Sequence, residues 1–250
     1  MNTNRVALLS VAVLTAAGCG DNASSPDVEP SISTQDLTVH LAVGLDGDSN
    51  LVSVSATFFD ARAPEQMVRI DADDSLSATL RGQTQPILES IPLIALPDRP
   101  PGGDGMYETF FDISTPITTS EELVVQLDRS RWESATLHVT LPGFAIEPVT
   151  SPASRASDLV VTWSPVDDNP INWVVYGDTW LISQVGEVAV PSDGTFTVPA
   201  KSIKSNGDPT VTVGAGVAME RDVELAPAAP FAGGVIRVGA TARTTFTSTP

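Results

Sequence analysis

The sequence has very few of the residues that usually carry chemistry. Its 250 residues include one cysteine and two histidines, and 13 lysines and arginines stand against 31 aspartates and glutamates. A single cysteine cannot close an intramolecular disulfide, so any folded domain of this chain must be stable without one, through its apolar core. The only two lysines, Lys201 and Lys204, and the net charge of −18 exclude a surface that binds nucleic acid. The same shortage excludes binding to a bare anionic membrane through a polybasic face.

Enzyme signatures and helical patterns are also missing. The chain has no Gly-x-Ser-x-Gly elbow, no His-Glu-x-x-His and no glycine-rich phosphate loop. No stretch longer than about ten residues shows an apolar helical stripe with caps at both ends. We therefore predict an all-β protein that is not an enzyme.

The amino terminus carries an export signal. Arg5 is followed by an uncharged run from Val6 to Ala17, which is well short of the about 20 residues that span a bilayer. The small residues Ala16-Ala17-Gly18 directly before the lone Cys19 resemble the lipobox of bacterial lipoproteins. The resemblance implies cleavage after Gly18 and acylation of Cys19, so that the partner of the mature chain is a membrane reached through its lipid.

The residue after the cysteine indicates a location. Gly20 stands where an aspartate retains enterobacterial lipoproteins in the inner membrane, so the resemblance implies the outer membrane of the bacterial envelope. Removing residues 1–18 takes away Arg5 and no acid, which makes the net charge −19. Residues 19–35 are rich in Ser, Pro and Asp, and they predict a flexible lipidated tether.

From Leu37 onward the dominant period of the apolar residues is two, as in strands with one buried face. The Asp46–Asn50 stretch supplies turn residues between two such runs and predicts a hairpin. The predicted strands are 37–43, 51–59, 67–70, 76–80, 87–94, 106–113, 123–127, 135–141, 159–163, 172–176, 180–183, 187–190, 195–198, 210–217, 221–225 and 235–246.

This density of short strands predicts two tandem β-sandwiches, at residues 36–142 and 143–250. The segment Asp158-Leu159-Val160-Val161-Thr162-Trp163-Ser164-Pro165 resembles a core strand of fibronectin type III domains, and the likeness extends loosely to 173–176 and 193–199. The resemblance implies immunoglobulin-like sandwiches with Trp163 buried in the second one.

Ionisable residues offer few catalytic candidates. His40 and His138 each alternate with apolar residues along a strand, so we expect both imidazoles on the polar face. Glu121 and Glu122 are adjacent and should face opposite sides of a strand, whereas Glu108 and Asp112 should share a solvated face.

Calcium is the cofactor that the acidic turns would suit, since it takes several oxygen ligands. The candidate ligands lie in three groups: Asp46, Asp48 and Asn50; Asp71, Asp73 and Asp74; Asp167, Asp168 and Asn169. The first group begins like an EF-hand loop, but Leu51 replaces the required glycine and Thr57 the bidentate glutamate. Asp and Asn are also the ordinary residues of turns, so the expectation is no metal site.

Three aromatic residues, Trp173, Tyr176 and Trp180, lie within eight positions. Exposed rings beside acids can hold sugars, but Trp173 and Tyr176 have opposite strand parity, so at least one should lie in the core. The leading hypothesis is a non-catalytic envelope lipoprotein that binds an unidentified protein or glycan partner. The alternatives are a glycan-active enzyme or carbohydrate-binding module on a β-sandwich, and a passive spacer.

Overall fold

The computed structural model describes residues 32–47, 50–90, 105–166, 169, 171–178, 182–188, 193–205, 208 and 210–250. A 3₁₀ turn, Thr34–Asp36, precedes the first strand, and no α-helix occurs within these ranges. The strands are β1 (Leu37–Asp46), β2 (Leu51–Asp60), β3 (Ala63–Val68), β4 (Ser75–Leu80), β5 (Gln83–Pro86), β6 (Leu88–Glu89), β7 (Met106–Asp112), β8 (Glu121–Asp128), β9 (Ala135–Leu141), β10 (Ala145–Ile146), β11 (Ala153–Ser154), β12 (Leu159–Ser164), β13 (Ile171–Tyr176), β14 (Ile182–Val188), β15 (Thr195–Val198), β16 (Val213–Leu225) and β17 (Gly233–Thr249). The described residues contain no helix of the length and apolarity that crossing a bilayer requires. The all-β prediction is confirmed.

Two sheets face each other in the first half of the chain. β1 and β2 form the predicted hairpin and β2 pairs with β7, while the opposing sheet has the order β5-β4-β8-β9. Every second residue of β1 and β2 is buried, because successive side chains of a strand point to opposite faces. Val39 and Phe58 from one sheet meet Leu76 and Val125 from the other in a common core.

The two longest strands, β16 and β17, form an antiparallel hairpin that belongs to both halves of the molecule. Residues 233–241 of β17 pair with β1 in parallel, and residues 216–221 of β16 pair with β13. Only Ala240 and Thr241 lie in cross-strand rows that reach both β1 and β13. The large sheet therefore continues from one sandwich into the next along this hairpin, with the order β14-β13-β16-β17-β1-β2-β7-β6.

The first residues of β17 run very close to β1. Gly234 has a φ of 132°, and a Cβ atom there would lie 1.9 Å from the carbonyl oxygen of Val39. Only glycine combines this backbone conformation with such an approach. Gly234 is thus the residue that lets the last strand of the chain enter the sheet beside the first.

The second pair of sheets packs around tryptophans. The small sheet β10-β12-β15 lies against β13 and the hairpin, and Trp173 of β13 stacks on Phe196 of β15 with ring centroids 4.6 Å apart. Trp163 of β12 lies 6.2 Å from the same ring and is 3% exposed, which confirms its predicted burial. Gly186 of β14 leaves room for the indole, since a Cβ there would lie 2.5 Å from a Trp173 ring carbon.

The predicted division of the chain at residues 142 and 143 stays a prediction, and backbone pairing crosses it. β17 belongs by sequence to segment 143–250 but forms an internal strand of the sheet that contains β1. At the crossing, the buried Arg221 donates a hydrogen bond to the carbonyl of Gly143 (3.4 Å), and the Phe144 amide donates to the carbonyl of Ile117 (3.2 Å).

Some predicted strands differ from those observed. The two runs predicted at 210–217 and 221–225 form one strand, β16, and the runs predicted at 180–183 and 187–190 correspond to β14. Of the run predicted at 87–94, residues 88 and 89 form β6, and residues 91–94 lie outside the described residues. β5 and β11 were not predicted, because each is very short or polar and has no apolar alternation.

The fold begins earlier than the predicted tether allows. Ile32 is 5% exposed and belongs to the core, and the Thr34 hydroxyl donates a hydrogen bond to the carbonyl of Glu133. The last residues of the predicted 19–35 tether are therefore packed on the first sandwich. The rest of that segment, with the signal peptide at 1–18 and Cys19, lies outside the described residues.

Candidate functional site

The predicted calcium ligands are not brought together among the described residues. Asp48, Asp167 and Asp168 lie outside them; Asp46 ends β1, and Asn50 lies in the following turn with a φ of 53°. Asn169 is described and half-buried. No group of three His, Cys, Asp or Glu side chains in the described parts of the chain is placed to hold a metal ion.

The second acidic group, Asp71, Asp73 and Asp74, has a structural use through Asp74. Asp74 is 1% exposed at its side chain and accepts a hydrogen bond from Nε of Arg129 (2.9 Å), whose side chain is 4% exposed. Its other oxygen accepts from the amide of Ser130 (2.7 Å) and from the Ser130 hydroxyl (3.1 Å). Arg129 also donates to the carbonyl of Ile32 (3.0 Å), so this cluster fastens the start of the fold to the turn after β8.

We expect Asp74→Asn to destabilise the chain by about 1–3 kcal/mol, because a buried guanidinium loses its charged partner. Burial raises the pKa of Asp74, but the Ser130 amide and the Arg129 guanidinium outweigh it and hold the pKa below its ordinary value. The contribution of the carboxylate is therefore full above the ordinary pKa of an aspartate and is lost as the pH falls through the lowered one.

Urea unfolding at pH 7 and at pH 3 measures this effect. The difference between wild type and Asp74→Asn should be large at pH 7 and smaller at pH 3. Asp73→Asn is the matched control, since Asp73 is exposed, and it should stay within about 0.5 kcal/mol of wild type. An equal loss in both variants would contradict the assignment to the Arg129 contact.

The histidines are separated. His40 lies on β1 in the large sheet, and His138 lies on β9 in the four-stranded sheet, both on outward faces as predicted. The imidazole of His40 packs against the Phe59 ring in a tilted arrangement, with ring centroids 4.8 Å apart, and burial together with the nearby Arg237 lowers the pKa of His40. The His138 ring lies 3.1 Å from a carboxylate oxygen of Glu122 on an open surface.

The predicted carboxylate pairs do not converge. Glu121 binds the guanidinium of Arg81 through both oxygens, at 2.5 and 2.7 Å, and this hydrogen bond lowers its pKa. Glu122 is occupied on the other face of β8 by His138. Glu108 and Asp112 share the outward face of β7, four residues apart. The first two carboxylates have separate partners, as their strand parity predicts.

The aromatic group divides between core and surface. Trp173 is buried, as the parity argument requires of at least one of the two rings, and Trp180 lies outside the described residues. Tyr176 is half-buried at the end of β13 and points away from the core, because its neighbour Val175 is fully buried. The pairing of β13 with β14 shifts register between Val175 and Tyr176, a bulge of the kind that re-aims side chains.

Tyr176 lies on one wall of a surface depression of about 460 Å³, which we call the Tyr176 groove. An adjoining depression of about 270 Å³ shares its Tyr176, Gly216 and Thr245 walls. The residues that line the groove are Ser151, Tyr176, Gly177, Asp178, Gly214, Ala215, Gly216, Thr245, Phe246 and Thr247.

Cross-strand register explains why the groove exists. Tyr176 lies directly beside Gly216 of β16, which in turn lies beside Thr245 of β17. Gly214 and Thr247 form the next outward row. Two glycines on the outward face of β16 leave no side chains between the tyrosine ring and the threonines, so the space stays open.

The rim of the groove is polar. Thr245 and Thr247 are exposed, and the Ser151 hydroxyl accepts a hydrogen bond from the Thr247 amide (3.0 Å). Asp178 is half-buried, and its amide donates to the carbonyl of Lys204 (3.1 Å). The arrangement combines one aromatic face with hydroxyl and carboxylate groups, which suits binding and contains no paired acid and base for catalysis among its described residues.

Sequence analysis found Tyr176 but missed the rest of the groove. The threonines and glycines come from β16 and β17, about 40 to 70 positions along the chain, and only the strand register brings them to the tyrosine. The alternation Val213-Gly214-Ala215-Gly216-Val217, with glycine on one face only, is the signal that could have indicated an open outward surface.

No protein-family model matches the chain, and the search of curated proteins gave no match. Among solved structures, it is similar to a tetra-tandem repeat in the extending region of a large adhesion protein (16% identity, TM-score 0.23), over 82% of this chain and 49% of that one. It thus spans about half of that structure.

Two other similar structures are those of the fibronectin(III)-like modules of Clostridium thermocellum CbhA and the N-terminal Ig1-2 module of the Drosophila receptor protein tyrosine phosphatase DLAR. The first is 8% identical with a TM-score of 0.22, over 85% of this chain and 94% of that one. The second is 9% identical with a TM-score of 0.24, over 82% and 98%. These TM-scores are too low to establish a shared fold, so the all-β sandwich architecture is inferred from the strand pairing of the chain itself.

Proposed function

We propose that this protein is a bacterial envelope lipoprotein, anchored through Cys19 in the outer membrane, whose two joined β-sandwiches form a non-catalytic binding module. The observation that carries the binding role is the Tyr176 groove, a polar depression with an aromatic wall. Anchoring is supported by the signal at residues 1–18 and the lone Cys19.

The hairpin of β16 and β17 can act as a rigid support for the binding module. β17 has 17 residues, which at about 3.3 Å per residue correspond to a length of about 55 Å. Because β1 and β13 pair with opposite ends of this hairpin, the groove is held at a fixed distance from the start of the fold. A tether of up to about 13 residues, 19–31, then connects the body to its lipid.

The anchor is tested by Cys19→Ser. Cells producing the wild-type chain should retain it in the outer-membrane fraction, with a mature mass that lacks residues 1–18 and includes acyl chains. Cys19→Ser removes the only thiol that could be acylated, so the protein should leave the membrane fraction and lose the lipid mass.

Ser24→Ala, in the same polar segment, serves as the control and should fractionate like wild type. Membrane retention of Cys19→Ser with an unchanged mass would refute the anchor.

A further inference from the structure

We propose that the Tyr176 groove is a binding site for a neutral saccharide. This assignment rests on the proposed role as a binding module and names the chemical class of its ligand.

The size and position of the groove fit a small ligand. Its volume of about 460 Å³ lies within the range of about 300–1,000 Å³ typical of ligand pockets. It lies on the large sheet at the point where β13 ends, since Tyr176 is the last residue of β13 and pairs with Gly216, while β16 and β17 continue to pair with each other at Gly214 and Thr247.

The chemistry of the walls selects the ligand class. The face of an aromatic ring carries partial negative charge and attracts the C–H groups of a pyranose ring. The hydroxyls of the exposed Thr245 and Thr247 can both donate and accept, so the groove offers partners to a ligand that presents several hydroxyl groups.

Charge narrows the class further. The chain has a net charge of −18, and its field repels anionic ligands such as phosphorylated or uronic sugars. The described residues that line the Tyr176 groove include no lysine or arginine, and those that line the adjoining depression include one, Arg243. A neutral polyhydroxylated ring satisfies the aromatic wall and the polar rim without a charge penalty.

Gly214 allows the groove to be filled without disturbing the fold. A Cβ at Gly214 would meet none of the described atoms within 4 Å, and the residue is exposed in the groove. A Cβ at Gly233 would likewise meet none of the described atoms within 4 Å, but Gly233 lies at the start of β17, far from the groove. Gly214→Leu is therefore a blocking variant, and Gly233→Leu is its matched control.

The experiment uses the full chain in detergent on an immobilised panel of neutral mono- to tetrasaccharides of the glucose, galactose, mannose and N-acetylglucosamine series. Binding is then titrated with the corresponding free methyl glycosides. We expect wild type and Gly233→Leu to bind at least one series equally, and Gly214→Leu to bind it more than about tenfold more weakly.

Tyr176 is tested in the same assay. Tyr176→Ala should lose more than about tenfold in affinity, whereas Tyr176→Phe keeps the ring and should retain most of the binding. Circular dichroism melts of each variant show whether the fold is intact.

The saccharide assignment is overturned if wild type binds no member of the panel, or if a folded Gly214→Leu binds as wild type does. Binding of an unrelated peptide or an anionic polymer at the same site, with none of the neutral sugars, overturns it as well. Fractionation with Cys19→Ser is independent of these results, so the proposed anchoring and the saccharide site can fail separately.

Discussion

The fragment 32–142 on its own is expected to show no cooperative unfolding transition. In the full chain, β1 lies between β2 and β17, and residues 38–46 pair with 233–241. The fragment loses this partner, together with the buried Ile236 and Val238 that face its core. Burying an aliphatic side chain of this size contributes about 1.5–3 kcal/mol, so these two residues alone supply a large share of the about 5–15 kcal/mol of a typical domain.

Thermal melts followed by circular dichroism measure this prediction. The fragment should give a gradual, non-cooperative change, and adding a peptide of residues 226–250 should restore a transition by supplying β17. The full chain should unfold in one transition, since the hairpin is common to both sandwiches. Independent melting of the fragment, or two separate transitions of the full chain, would show that the shared strand does not couple the halves.

Trp163→Ala is expected to destabilise the full chain by about 3–5 kcal/mol. The indole is 3% exposed and packs beside Phe196, so its removal leaves a cavity between the two sheets. Urea unfolding followed by circular dichroism gives the free energy without relying on tryptophan fluorescence.

Trp132→Ala is the control for this substitution. Trp132 is 38% exposed in the turn between β8 and β9, and its loss should change the free energy of unfolding by less than about 0.5 kcal/mol. A mild effect of Trp163→Ala, similar to that of the control, would contradict the prediction that the packing of Trp163 stabilises the core of the second sandwich.

The strand pattern could be predicted from the sequence wherever one face of a strand is buried. Buried and more exposed residues alternate strictly in β1, β2 and β9, and nearly all of the buried ones are apolar, so the location of these strands and their buried faces follow from period two. The same reasoning placed His40 and His138 on outward faces. Burial of Trp163 was implied by the resemblance of residues 158–165 to a core strand of fibronectin type III domains.

The pairing of distant strands could not be predicted in this way. The alternation in β17 indicates that one face is buried, but it does not indicate which strands lie beside β17. The parallel contact with β1 depends on the close approach at Gly234, and the Tyr176 groove depends on the register that places Gly216 beside the tyrosine. Both are consequences of long-range topology, for which the local sequence holds no periodic signal.

The position of β17 also determines when the first sandwich can close during synthesis. The Thr241 hydroxyl donates to the carbonyl of Leu45, 196 residues earlier in the chain. A chain that passes through a membrane with its amino terminus first, as we propose for this one, emerges with β1 exposed long before its partner is available. Pairing over such a separation is intrinsically slow, and the first sandwich cannot close before β17 has been synthesised. Under the proposed export, this order keeps the first sandwich unfolded while the chain crosses the membrane.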